Sequence, residues 1–212
     1  RTQEALAMAE EPAGLQHGPH AWGGPASVPP GPARALFVYG TLKRGLTNYR
    51  RYLGPAEEHG KATFLGAATT LERFPLVVRP AHMLPATRAP VLISCAGTGH
   101  RVSGEVFRVD DSTMDALDIL EGVHRGVYHK EEVAVSLDHG AEQLTCSAYL
   151  YPENKELLSL PLLPAYSLEH HQLYRPGPVQ QEILALCRPT HGLRTAQPHA
   201  MRAHCLRLLP GE

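Results

Sequence analysis

The chain has 212 residues, 43% of them hydrophobic, with 20 Lys and Arg against 21 Asp and Glu and a formal charge of −1. That length suits one domain of ordinary size with tails, and the balanced charge argues against a nucleic-acid groove, which needs a clustered basic surplus. No apolar run approaches the roughly 20 residues that cross a bilayer, and the polar start from Arg1 to Glu11 is unlike a secretory signal. Residue 1 is not Met, which fits a fragment or a processed form. Cys95, Cys146, Cys187 and Cys205 are widely spaced and make no C-x-x-C pair, so free thiols in a reducing cytosol are expected.

Residues 11 to 34 are dominated by Pro, Gly and Ala, as in Pro29-Pro30-Gly31-Pro32. They have neither helix nor strand period, so 1–34 reads as a disordered leader. Order is expected from Ala35. Leu36-Phe37-Val38-Tyr39 is a short β-rich run stopped by Gly40, and Asn48 to Leu53 has the length of a short helix. Strand-like pieces follow at Ala62–Thr69, Leu76–Val78, Val91–Ile93 and Ser103–Val109. The period then changes. Over Asp111 to Glu121, Met114, Leu117 and Leu120 recur three apart along one helical face. Ser112-Thr113-Met114-Asp115 fits a helix start, and Gly122 a stop. Val133–Leu137 and Leu144–Tyr151 read as a hairpin pair across Asp138, His139 and Gly140. Many strands with few helices predict an α+β domain over 35–175, a small mixed β-barrel with flanking helices. Val179 to Cys187 has a short helical pattern, but the tail over 176–212 otherwise reads as loosely ordered.

The segment Tyr39-Gly40-Thr41-Leu42-Lys43-Arg44-Gly45 carries most of the chemical information. A strand ends in Gly40 and a polar turn bounded by glycines follows. Glycine frees the backbone and admits close approach, and successive unpaired N–H groups in such a turn form an anion-binding concavity. A phosphate-binding loop would need Lys where Leu46 stands, so that reading fails. On the residues alone, a plain tight turn at a barrel rim is the rival account.

That segment resembles the opening motif of the gamma-glutamylamine cyclotransferase and avirulence-induced-gene-like family, where it also follows the first strand. Leu117-Asp118-Ile119-Leu120-Glu121, Val102 to Phe107 before it and Tyr128 after it resemble the family's order too. The likeness spans about Leu36 to Tyr151. It implies a gamma-glutamyl cyclotransferase-like barrel, an enzyme releasing 5-oxoproline from a γ-glutamyl amine, with Glu121 as the catalytic acid-base. Tyr39, Gly40, Thr41 and Leu42 would then cradle the γ-glutamyl unit, with Tyr128 shaping the pocket. Glu121 would end a helix, with Asp115 and Asp118 on the same face. Helix dipole and like charge are both expected to raise its pKa. The chemistry asks for little more. An intramolecular attack has much of its entropy already met, and one carboxyl can take and return the proton. No metal or cofactor is expected. The partner implied is a small-molecule γ-glutamyl amine, with no nucleic acid and no membrane, acting on a cytoplasmic monomer.

Other chemistry is weaker. The histidines show no metal-ligand spacing, and Ser103 lacks a nucleophile elbow. Cys95 and Cys146 sit in strand-like runs where inert thiols are common. Tyr149 and Tyr151 share a strand face, and the leucines from Leu157 to Leu163 are candidates for a core cover or lid. After Tyr151 the resemblance weakens. Leu163-Pro164-Ala165-Tyr166 is placed near the leaving group, and His191-Gly192-Leu193 comes late. A non-catalytic binding module on the same fold is therefore the alternative.

Overall fold

The computed structural model describes residues 33–80, 82, 88–138 and 142–176. The leader before Ala33, the tail helix over Val179 to Cys187, His191 to Leu193 and the turn residues His139 and Gly140 lie outside them. Five strands close a barrel: β1 (Arg34–Val38), β2 (Ala62–Phe74), β5 (His100–Val109), β6 (His129–Leu137) and β7 (Gln143–Leu150), in the order β1-β5-β2-β6-β7. Two short strands, β3 (Leu76–Val78) and β4 (Pro90–Leu92), form a separate antiparallel pair. Among the described residues, four α-helices flank the strands: α1 (Leu53–Glu58), α2 (Asp111–Glu121), α3 (Lys155–Leu158) and α4 (Leu168–Gln172). This is the small mixed barrel expected from the sequence.

Adjacent strands in the barrel pair antiparallel except at the seam, where β1 meets β7 in parallel at Leu36 and Ser147. The 13-residue β2 is longer than the sequence pattern indicates. It breaks register between Phe64 and Gly66 and again between Thr69 and Arg73. Such bulges bend a strand, and this one reaches both β5 and β6.

Alternation sorts the side chains. On β1, Phe37 joins a core fed by all five barrel strands, including Ala68, Val106, Val135 and Ala148. Leu36 and Val38 point the other way, onto Leu53, Met114 and Leu117 of the helices. Gly104 on β5 lies against this strand. A Cβ there would stand 2.5 Å from both the Phe37 ring and the Val38 carbonyl, so only glycine fits. A third cluster of Val77, Val91, Ile93 and Leu157 covers the β3–β4 pair, so the leucine-rich run packs on the core.

Two local expectations are corrected. The first helix occupies Leu53–Glu58, and Asn48 to Tyr52 are turns held by amide bonds to Thr41 and Asn48 carbonyls. The second helix spans Asp111–Glu121 as expected, but its cap is Asp110 and not Ser112. Asp110 is extended, and its carboxylate accepts the Thr113 N–H at 2.8 Å, while Ser112 donates to the same carboxylate. An aspartate just before the first turn outcompetes a serine inside it, because its oxygens face the exposed amides. Those hydrogen bonds outweigh partial burial and hold the Asp110 carboxyl below its usual range. Gly122 closes the helix in the left-handed conformation at φ 66°, donating to Asp118 and Ile119. Met114, Leu117 and Leu120 are buried, as their spacing predicts.

Candidate active site

The strand-to-loop turn after β1 is tied down from several sides. Asn48 donates to the Thr41 hydroxyl at 2.8 Å, Lys43 Nζ to the Tyr166 carbonyl at 2.6 Å, and the Arg44 N–H to Glu105 at 2.7 Å. Burial lowers the Lys43 pKa, with Glu105 acting against it. Among the described residues, the N–H groups of Gly40, Thr41 and Leu42 donate to no protein acceptor. They are the unpaired donors that an oxyanion or a carboxylate would fill. Gly40 serves close approach, not a positive φ: a Cβ on it would lie 2.6 Å from Pro90 Cγ. The positive φ belongs to Gly45, at 78°.

A cavity of about 270 Å³ opens beside this turn. Its walls bring together all six residues singled out in the sequence: Tyr39, Gly40, Thr41, Leu42, Glu121 and Tyr128. Glu121 is delivered by the last turn of α2. The residue keeps some accessibility through the cavity, while protein packs around its carboxyl. That burial pushes its pKa from 4.5 to about 7. The cause differs from the one expected. Asp115 is exposed, and Asp118 is engaged by Lys130 and the Tyr149 hydroxyl, each at 2.7 Å. Desolvation by burial is the cause of the shift.

Tyrosines surround the carboxyl. Burial raises the phenols of Tyr39, Tyr128 and Tyr149 well above their usual value, and Tyr174 to about 12; the Glu121 charge adds to a smaller degree, and at Tyr149 the Asp118 hydrogen bond and charge add more. All stay neutral near pH 7 and supply an apolar wall with polar tips. Tyr39 donates to the Tyr149 carbonyl at 2.6 Å, which fixes the ring and commits its hydroxyl proton to the scaffold. Tyr128 meets Tyr151 edge-on at 5.4 Å. Tyr174 is held by His171, whose ring stacks on it at 5.5 Å while its Nε2 contacts the Thr47 hydroxyl at 2.8 Å.

Sequence reasoning missed Asn48, Arg79 and Tyr174, which also line the cavity. None stands in a motif; each arrives from a distant segment. Cys95 lies in a turn after β4, not in a strand, whereas Cys146 is buried on β7 and burial raises its pKa to about 11.

A closed mixed barrel whose first strand runs into an unpaired-amide turn facing a buried carboxyl defines a cyclotransferase-type scaffold. The chain belongs to the gamma-glutamyl cyclotransferase, AIG2-like family, whose model matches residues 36–179. It is 38% identical over 146 residues to a gamma-glutamylaminecyclotransferase of Bos taurus, covering 66% of this chain and 81% of that one. It is 35% identical over 147 residues to a putative gamma-glutamylcyclotransferase of Drosophila melanogaster, covering 68% and 85%. The crystal structure of an AIG2-like protein from Mus musculus superposes with a TM-score of 0.56 at 30% identity, covering 78% of this chain and 96% of that one. No helix among the described residues is long and apolar enough to cross a membrane.

Proposed function

We propose that the protein is a gamma-glutamylamine cyclotransferase, cleaving a γ-glutamyl amide into 5-oxoproline and a free amine. The observation that carries this reading is the Glu121 carboxyl, buried in the cavity that the Gly40 to Leu42 amides line, with a pKa raised to about 7. A carboxyl so placed is populated in both protonation states at neutral pH, which suits one group that must accept and then donate a proton.

The sequence of events follows from the chemistry. Glu121, ionised, takes a proton from the substrate's α-ammonium. The freed amine attacks the γ-carbonyl carbon, forming a C–N bond and placing negative charge on the carbonyl oxygen. The amides of Gly40, Thr41 and Leu42 are the donors for that charge; one such donor is typically worth about 10² to 10³ in rate. Collapse breaks the original amide bond as the departing nitrogen takes the proton back from Glu121, and the second proton of the ring nitrogen passes through the same carboxylate to the released amine, which leaves as an ammonium. No water is consumed and no redox change occurs. The tyrosine wall limits water around the carboxyl. Likeness to relatives named gamma-glutamylaminecyclotransferase favours an amine leaving group such as the lysine side chain of γ-glutamyl-ε-lysine, the isopeptide left by a degraded protein crosslink.

The test is 5-oxoproline release from γ-glutamyl-ε-lysine and from γ-glutamyl amino acids by the unaltered chain and by Glu121→Gln. Release from the isopeptide, abolished in a variant that keeps its circular dichroism, is the expected result. No release from any of these substrates would leave a binding module in place of an enzyme.

A further inference from the structure

The cavity contains a cation that the proton shuttle does not use. Arg79 follows β3, and its backbone extends the β3–β4 ladder: its N–H donates to the Ala89 carbonyl at 2.8 Å and its carbonyl accepts from Arg88 at 3.0 Å. The side chain lines the cavity, and the residue is 6% exposed. Its guanidinium carbon lies 5.1 Å from the centre of the Tyr151 ring. Among the described residues it forms no ion pair with a carboxylate, and its Nη2 is buried with no hydrogen-bond partner.

An unpaired buried guanidinium is costly, and such groups persist where a ligand completes them. Its positive charge opposes the rise at Tyr39 and Tyr128, which places it among the groups around the ligand space. The planar fork of a guanidinium matches a carboxylate through two parallel N–H donors.

We propose that Arg79 binds the α-carboxylate of the γ-glutamyl unit and sets the enzyme's requirement for it. This rests on the cyclotransferase reading and completes its geometry. Three groups of one substrate then have three partners: the α-ammonium faces Glu121, the γ-carbonyl faces the Gly40 to Leu42 amides, and the carboxylate meets Arg79. The three contacts fold the glutamyl chain so that amine and carbonyl approach each other. The carboxylate survives on the product ring, so 5-oxoproline engages the same residue.

The experiment compares two amides of the same amine, one γ-glutamyl and one 4-aminobutyryl. The second keeps the attacking amine and the carbonyl but lacks the carboxylate. Arg79→Gln should cut kcat/KM for the γ-glutamyl substrate by about 10²-fold or more and collapse its preference over the 4-aminobutyryl substrate, with Arg79→Lys in between. Binding is read in parallel, by titration of 5-oxoproline and of 2-pyrrolidinone, its carboxylate-free analogue; Arg79→Gln should lose the advantage of the first over the second. Arg79→Met, which removes the unpaired charge, should melt no lower than the unaltered chain without ligand. A fall of equal size on both substrates, undiminished 5-oxoproline binding in folded Arg79→Gln, or a lowered melting temperature in Arg79→Met would overturn the assignment. Should the unaltered chain release no 5-oxoproline, the functional reading fails, and the titration alone decides whether Arg79 holds a carboxylate.

Discussion

Replacing Glu121 by Gln should stabilise the protein at alkaline pH and do so much less at acid pH. A carboxyl whose pKa rises from 4.5 to about 7 on folding holds its proton longer in the native state than in the unfolded chain. Its favourable contribution is therefore complete below the unfolded value and is lost as pH climbs through the folded one. Linkage gives a loss of about 0.8 kcal/mol at pH 5 and about 3.4 kcal/mol at pH 8, a difference of about 2.5 kcal/mol. The opening from Glu121 to the cavity lets water screen part of this, so about 2 kcal/mol is the working figure. Glutamine has no such dependence, and other titrating groups are common to both proteins and cancel. For a domain of this size, about 2 kcal/mol corresponds to roughly 6–8 °C in Tm. The assay is thermal melting of both proteins at pH 5 and pH 8 in matched salt. The gap between variant and parent should widen in the variant's favour by about that amount. A gap of the same size at both values would refute burial as the source of the carboxyl's raised pKa.

Two further predictions concern the scaffold around the site. Gly40→Ala drives a methyl group to within 2.6 Å of Pro90, so the turn must shift and its amides with it. Turnover should fall at least about tenfold with the secondary structure kept, and unchanged turnover would remove these amides from the reaction. Asp110→Ala removes the α2 cap and should cost about 1 kcal/mol in urea unfolding at neutral pH, a loss that shrinks as Asp110 is protonated in acid. An unchanged unfolding midpoint would show that the Thr113 amide finds a partner equally good.

What could be read from the sequence follows the range of the forces involved. The face of α2 was legible because Met114, Leu117 and Leu120 repeat with the helix, and the stop at Gly122 is a local conformational demand. Strand positions are legible from β-rich runs, but the pattern ends β2 five residues short. Its second half, Thr70 to Phe74, mixes exposed and buried positions around a bulge and lacks clean alternation. The opening turn and Glu121 were found by resemblance, since neither an isolated carboxylate nor one glycine turn is specific by itself. Arg79 is not legible in the sequence because nothing in Val78-Arg79-Pro80 marks a ligand cation; the β3–β4 pair brings it beside Tyr151. Burial as the source of the Glu121 shift is not legible for the same reason. Spacing showed Asp118 on the same helix face but could not show Lys130 and Tyr149 engaging it.

The bond from the Tyr39 hydroxyl to the Tyr149 carbonyl joins residues 110 positions apart, and the Lys43 bond to Tyr166 spans 123. At ribosomal speed, roughly 5–20 residues per second, β7 is made about 5–20 s after β1. During that interval β1 lacks the neighbour that closes the barrel, and the tyrosine wall around Glu121 is missing a side. The Glu121 carboxyl then sits in water with ordinary acidity. Contacts this distant in sequence form late and slowly, so during refolding the recovery of activity should trail the recovery of helix signal. A nascent chain carrying the whole opening loop and Glu121 still lacks the burial that raises the Glu121 pKa.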